Sequence, residues 1–158
     1  MLRPHTPLEG TLKSPDTPQN PRVGARMKAA GQQVNIDFTG KCDRTPNTLL
    51  SHMLLSYCEK EKGFEAQNEL QERLFQAYFT DGIFLDQNAL LNIAETIGLD
   101  KENAKIALQS DVLKQEVIKE ASKYAGSTSG VPFFLFNGRP AFSGAQDPQT
   151  FINVFQQL

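Results

Sequence analysis

The 158 residues include 39% hydrophobic and 22% charged positions, with 16 basic side chains against 18 acidic ones and a net charge of −2, the profile of one globular domain. That balance excludes a basic nucleic-acid footprint and a polybasic membrane patch. No apolar run approaches the roughly 18 residues of a membrane span, and Met1 to Pro7 lacks an apolar signal core, so a cytoplasmic protein is expected.

Five of the nine prolines fall within the first 21 positions. Each lacks a backbone donor and restricts the residue before it, which predicts an irregular arm over residues 1–20. Residues 21–44 read as a linker with a short helix and a strand. Asn20-Pro21 supplies a cap and a first-turn proline for a helix running to about Ala30. Val34, Ile36 and Phe38 alternate with polar residues, the period of a strand with one buried face.

Residues 45–125 read as an all-helical block. Thr45-Pro46 opens a helix with Leu50, Met53, Leu54 and Tyr57 on one face, closing near Gly63. Leu70, Leu74 and Tyr78 form a second stripe, flanked by Phe75 and Phe79 and ended by Asp81-Gly82. Asp86 caps a third helix that buries Leu90, Leu91, Ala94 and Ile97, and Gly98 stops it. Asp100 caps a fourth, and Ser110 starts a fifth with Leu113, Val117, Ala121 and Tyr124 inward. These stripes are packing surfaces rather than cofactor boxes.

Residues 126–158 change character. Val131-Pro132 leads into Phe133-Phe134-Leu135-Phe136, then Asn137-Gly138, then Arg139 to Ser143. Asn-Gly is the strongest short-range signal for a two-residue hairpin turn. Four consecutive apolar residues predict a strand covered on both faces, and Pro140 places its own strand at a sheet edge. Asp147-Pro148 caps a last helix with Phe151, Val154, Phe155 and Leu158 on one face. A hairpin buried on both faces needs further strands beside it, and the chain offers only Val34 to Phe38.

Cys42 and Cys58 stand at neither a metal spacing nor a redox C-x-x-C spacing. A helix from Thr45 to Cys58 would set them roughly 20 Å apart, and the short tether back to Cys42 recovers at most about 10 Å. Two separate thiols in a reducing compartment follow. His5 and His52 have no clustered acids around them, so no metal site is expected.

The helical block, Gly130-Val131-Pro132-Phe133-Phe134, the hairpin, Ser143-Gly144-Ala145-Gln146 and the terminal helix together resemble the DsbA-like thioredoxin-fold oxidoreductases, in particular their cytoplasmic FrnE-type branch. Pro46-Asn47-Thr48-Leu49-Leu50-Ser51-His52 matches the opening motif of that family's helical insertion with one change, Ser51. The stretches Leu74 to Gly82 and Ile93 to Asp100 are also similar, so the resemblance covers roughly residues 20–158. It implies an α/β, thioredoxin-like fold with an all-helical insertion. The family's N-terminal strand, C-x-x-C helix and second strand have no counterpart here, which leaves an expected architecture that is mostly helical with a C-terminal hairpin and final helix.

The resemblance further implies that Pro132 is cis and exposes the Val131 backbone to a thiol or extended peptide substrate; a trans proline that simply starts a strand is the plainer alternative. Asn47 and His52 match the family motif as substrate-side candidates, with capping and surface roles as alternatives. Gln146 sits where the related kappa-class glutathione transferases and 2-hydroxychromene-2-carboxylate isomerases hold glutathione. Those branches carry Ser-Asp at Ala145-Gln146, so no cofactor is assigned and glutathione stays an alternative. Without C-x-x-C no catalytic residue is expected. Two readings remain: a thiol–disulfide oxidoreductase represented by an incomplete chain, or a non-catalytic binding module. The missing strands also predict a homodimer, or aggregation, through the exposed hairpin edge.

Overall fold

The structure is a computed structural model that describes residues 2–125 and 131–158. The chain divides into two compact units, Leu2–Ile118 and Lys119–Leu158.

In the first unit, side-chain caps start the last three helices. α1 (Ala25–Gln32) is followed by α2 (Leu49–Lys62), α3 (Phe64–Phe75) and a π-helical turn (Gln76–Asp81). Then come α4 (Gln87–Thr96), α5 (Lys101–Leu108) and α6 (Asp111–Ala125), whose last residues belong to the second unit. Asp86 and Asp100 accept hydrogen bonds from Ala89 N and Asn103 N, each at 2.8 Å, and Ser110 Oγ accepts from Leu113 N at 3.2 Å. These bonds satisfy donors that every helix start leaves open.

The core of this unit is one apolar cluster. Met53, Leu54 and Cys58 of α2 meet Leu70 and Leu74 of α3, Leu90, Leu91 and Ala94 of α4, Ala104 and Leu108 of α5, and Leu113 and Val117 of α6. Leu54, Leu70 and Leu90 are fully buried, and each such side chain contributes about 1.5–3 kcal/mol by leaving water. Most predicted inward residues fall in this cluster, with Leu50, Tyr57, Tyr78 and Ile97 half-buried at its edge, whereas Ala121 of α6 is not part of it. The predicted inward place of Tyr124 concerns a side chain that lies outside those described.

Three local expectations are corrected. Val34 to Phe38 is not a strand. Val34 N and Ile36 N both donate to Gly31 O, at 3.0 and 2.8 Å, and Asn35 takes φ 60°, so the segment caps the C-terminus of α1. A Cβ on Gly31 would stand 2.5 Å from Ile36 O, so this cap needs glycine. The predicted helix from Pro21 begins instead at Ala25, because Asp16 Oδ1 accepts from Arg22 N at 2.8 Å and holds the preceding residues outside the helix. The helix expected from Thr45 starts at Leu49. Pro46 disfavours the helical region for Thr45, and Thr45 pairs with Thr11 in a two-stranded antiparallel ladder of β1 (Thr11–Leu12) and β2 (Arg44–Thr45).

That ladder ties the proline-rich arm to the helices. Tyr78 Oη donates to Arg44 O at 3.0 Å, and Lys13 Nζ donates to Cys42 O at 3.1 Å while sitting 4.8 Å over the Tyr78 ring. Thr39 Oγ1 donates to Thr80 O at 2.7 Å, and the Phe38 and Phe79 rings meet edge to face. The arm is irregular along most of its length, but it is anchored.

The second unit is a hairpin and a helix. β3 (Phe133–Phe136) pairs antiparallel with β4 (Arg139–Ser143), and a bulge shifts the register after Phe134 so that Leu135 faces Pro140. Asn137 at φ 50° and Gly138 at φ 75° make the turn the dipeptide predicted. Asp147 Oδ1 accepts from Thr150 N at 2.9 Å and caps α7 (Pro148–Phe155). Phe151 stacks edge to face on Phe134 and Phe142, and Phe155 does so on Phe136. The strand was expected to be covered on both faces. Instead α7 covers the Phe134 and Phe136 face, Leu135 on the other face is 43% exposed, and Phe155 and Leu158 of the predicted helix stripe are 60% and 63% exposed. The molecule is thus mostly helical, with a C-terminal hairpin and final helix, as the sequence led one to expect.

Candidate functional site

Three of the five predicted site residues lie on the second unit. The Val131–Pro132 peptide bond is cis. Gly144 N donates to Pro132 O at 2.7 Å, which ties the loop to the far end of β4, while the Val131 side chain stays 59% exposed. Phe133 opposite Ser143 continues the same ladder, so the loop is an extension of the β3 strand rather than a free connection. Gln146 is exposed and donates from Nε2 to Ser143 O at 3.2 Å. Its amide is used to shape the turn before α7.

Asn47 and His52 lie at the start of α2, in the first unit. Asn47 Oδ1 accepts from Leu49 N at 2.9 Å, and its Nδ2 donates to Thr6 O at 2.6 Å and Pro4 O at 3.3 Å. One side chain therefore opens the helix and straps the arm across it. Thr48 Oγ1 adds to the strap by accepting from Arg3 N at 2.8 Å. His52 Nδ1 lies 2.6 Å from Thr48 O, which makes that nitrogen the protonated donor and leaves Nε2 as an acceptor. Burial pushes the pKa of His52 below 6.5, although the bond to Thr48 opposes the shift. The imidazole is neutral at pH 7.

The two thiols are free and buried. Cys42 Sγ faces Arg44 O at 3.4 Å. Cys58 lies late in α2, where the carbonyl end of the helix disfavours a thiolate. Burial raises the Cys58 pKa, Glu69 adds to the shift and Lys62 opposes it. Neither sulfur has the exposed, electropositive setting of an attacking thiol. Among the described residues no cluster of three or more His, Cys, Asp or Glu side chains forms a metal site, and no helix is long and apolar enough to cross a membrane.

Sequence reasoning missed two concave surfaces. One, of about 410 Å³, opens at the turn end of the hairpin between Phe136, Arg139, Pro140 and the Val154 to Leu158 end of the chain. The other, of about 250 Å³, lies in the arm between Lys13, Ser14, Asn20, Pro21 and Arg22. The second depends on a fold of the arm that no periodicity encodes.

A hairpin followed by a capped helix, in a chain with a helical body, fits a thioredoxin-like protein of the DsbA kind. The chain belongs to the DSBA-like thioredoxin domain family, which matches residues 2–156. Among solved structures it is similar to a probable DsbA oxidoreductase from Streptomyces coelicolor, with 26% identity and a TM-score of 0.73. That match covers 84% of this chain and 57% of the Streptomyces protein, so the chain spans little more than half of that relative's length. No curated protein matches.

Proposed function

We propose that this chain is a thiol- and peptide-binding domain on the DsbA-like oxidoreductase scaffold, with Val131-Pro132 as its recognition loop, and that the 158 residues do not themselves catalyse thiol–disulfide exchange. The state of the two cysteines carries this reading. Exchange requires an accessible thiolate to attack a disulfide sulfur and a second thiol to resolve the mixed disulfide. Cys42 and Cys58 are both buried, and Cys58 is held in its thiol form. The match of Pro46 to His52 supports the FrnE-type branch, and two free buried thiols support a reducing compartment such as the cytoplasm.

The substrate in this reading is an extended peptide. The exposed Val131 backbone continues the β3 edge, and an incoming strand would gain main-chain hydrogen bonds there. Glutathione is a poorer fit, because Ala145-Gln146 replaces the Ser-Asp of the glutathione-using branches and the Gln146 amide is spent on Ser143 O. Within the first unit, Asn47 holds the start of α2 and the arm, and His52 holds the first turn of α2.

A second copy of this chain is the alternative occupant of that same β3 edge, in competition with the peptide. Among the described residues the outer edge of β3 has no strand partner. Pro140 removes a donor from β4, whereas Phe133 to Phe136 has none of the charges, prolines or glycines that guard an edge strand. Two such edges paired antiparallel set apolar side chains against apolar side chains.

The activity reading is tested by following reduction of a protein disulfide in a thiol buffer. The rate with the purified chain is expected to equal the uncatalysed rate. Turnover that survives replacement of both Cys42 and Cys58 by serine would overturn it. Binding is tested by titrating an extended cysteine-containing peptide against amide spectra. Shifts confined to Val131, Phe133 and Gly144 support the loop as the site, and their absence at saturating peptide removes it.

A further inference from the structure

We propose that the N-terminal arm holds a binding site for a small phosphate-type anion, in the cavity between Lys13-Ser14 and Asn20-Pro21-Arg22. The cavity measures about 250 Å³, room for roughly eight waters. It lies entirely within the first unit and is remote in sequence from the Val131-Pro132 loop.

The donors around it are arranged by the fold. Arg22 Nε donates to Ser14 O at 3.1 Å, and Nη1 donates to Gly40 O at 3.3 Å and Lys41 O at 3.4 Å. Three of the five guanidinium donors are thereby spent on backbone carbonyls, which fixes the plane of the group. The Nη2 edge is left without a protein partner among the described residues. Lys13 Nζ is held in the same way, by Cys42 O at 3.1 Å and the face of the Tyr78 ring, with further N–H donors to give. Among the described residues neither cation is in an ion pair. Ser14 contributes a hydroxyl and Asn20 a side-chain amide, and no carboxylate lines the space. The nearest acid in sequence, Asp16, spends Oδ1 on Arg22 N at 2.8 Å.

Two cations positioned by carbonyls instead of carboxylates keep their charge available. The remaining Nη2 donors of a guanidinium held in a fixed plane offer charge-assisted bonds to the oxygens of a tetrahedral anion, and a nearby ammonium adds a point charge. The charge of the whole region agrees. Residues 1–46 carry seven basic and four acidic side chains, whereas residues 47–158 carry nine and fourteen. The positive excess lies in residues 21–46, which carry five basic and two acidic side chains and include Arg22.

The test is a titration with inorganic phosphate at constant ionic strength, read from the Arg22 Nε–H resonance and the Ser14 and Asn20 amides. Saturable shifts confined to these groups are expected, with chloride giving none. Lys13→Gln should weaken phosphate binding at least about tenfold, as the loss of a charge-assisted bond requires. Asn20→Asp, which leaves the Arg22 bonds untouched, should abolish it by placing a carboxylate in the lining. Amide dispersion elsewhere in the spectrum checks that both variants remain folded. Linear, unsaturated shifts, equal shifts with chloride, or unchanged affinity in either folded variant would overturn the proposal.

Discussion

The two units bury their apolar surface to very different degrees. In Leu2–Ile118 the helices enclose a set of fully covered side chains, and even the irregular arm is tied down by Asn47 and Thr48. In the hairpin and α7, no described residue from 131 to 158 is buried, although the rings of Phe134, Phe136, Phe142, Phe151 and Phe155 pack on one another. The hairpin unit is thus composed like a core while being covered like a surface. An apolar strand with one uncovered face and an unpaired edge is the geometry of an element that completes itself on a partner.

The largest expected effect sharpens this contrast. Leu54 is fully buried in α2, so Leu54→Ala should destabilise the helical body by about 2–5 kcal/mol. Phe155→Ala removes a larger side chain, yet it loses only an edge-to-face contact worth about 1 kcal/mol. Urea unfolding monitored by far-UV circular dichroism measures both. Equal costs would break the distinction between a cored and an uncored unit.

A smaller effect of opposite sign is expected at Ser51. Its hydroxyl is buried with no hydrogen-bond partner, and a lone buried hydroxyl costs about 1–3 kcal/mol. Ser51→Ala should therefore raise the urea midpoint, with a gain of about 1 kcal/mol after the lost packing. A lowered midpoint would show that the hydroxyl is in fact satisfied.

The smallest effect is a pH dependence confined to the helical body. His52 has a folded pKa below its unfolded value of 6.5, so the native state favours the neutral ring. Its contribution is present above pH 6.5 and is lost as pH falls through the folded pKa. Part of the decline in stability below pH 6.5 should vanish in His52→Gln, measured as the difference in urea midpoint between neutral and acidic buffer. An identical decline in the variant would assign it to other groups.

The sequence was most informative where a residue acts on its neighbours. Asp86, Asp100 and Asp147 each cap the helix that follows, and Asn137-Gly138 folds the turn, because the partners lie within three positions. Val34 to Phe38 misled because alternation is shared by strands and by a chain leaving a helix, and only Gly31 O decides between them. The β1–β2 ladder was hidden because its register is set by contacts thirty or more positions apart, such as Thr11 to Thr45 and Tyr78 to Arg44. The site divides in the same way. Val131-Pro132 came forward as a candidate through family resemblance alone. The strap made by Asn47 to Thr6, 41 positions away, and the Lys13–Arg22 cavity depend on the folded arm.

The central claim is that, among the described residues, the outer edge of the hairpin has no strand partner, while the helical body buries its own core. Hydrogen exchange at two protein concentrations tests it most directly. The amides of residues 133–143 are expected to exchange rapidly in dilute protein and to gain protection as concentration rises, while those of Leu90, Leu91 and Ala94 in α4 stay protected throughout. Strong protection of residues 133–143 that does not change with concentration would contradict the account, because the hairpin would then have found its partners within one chain.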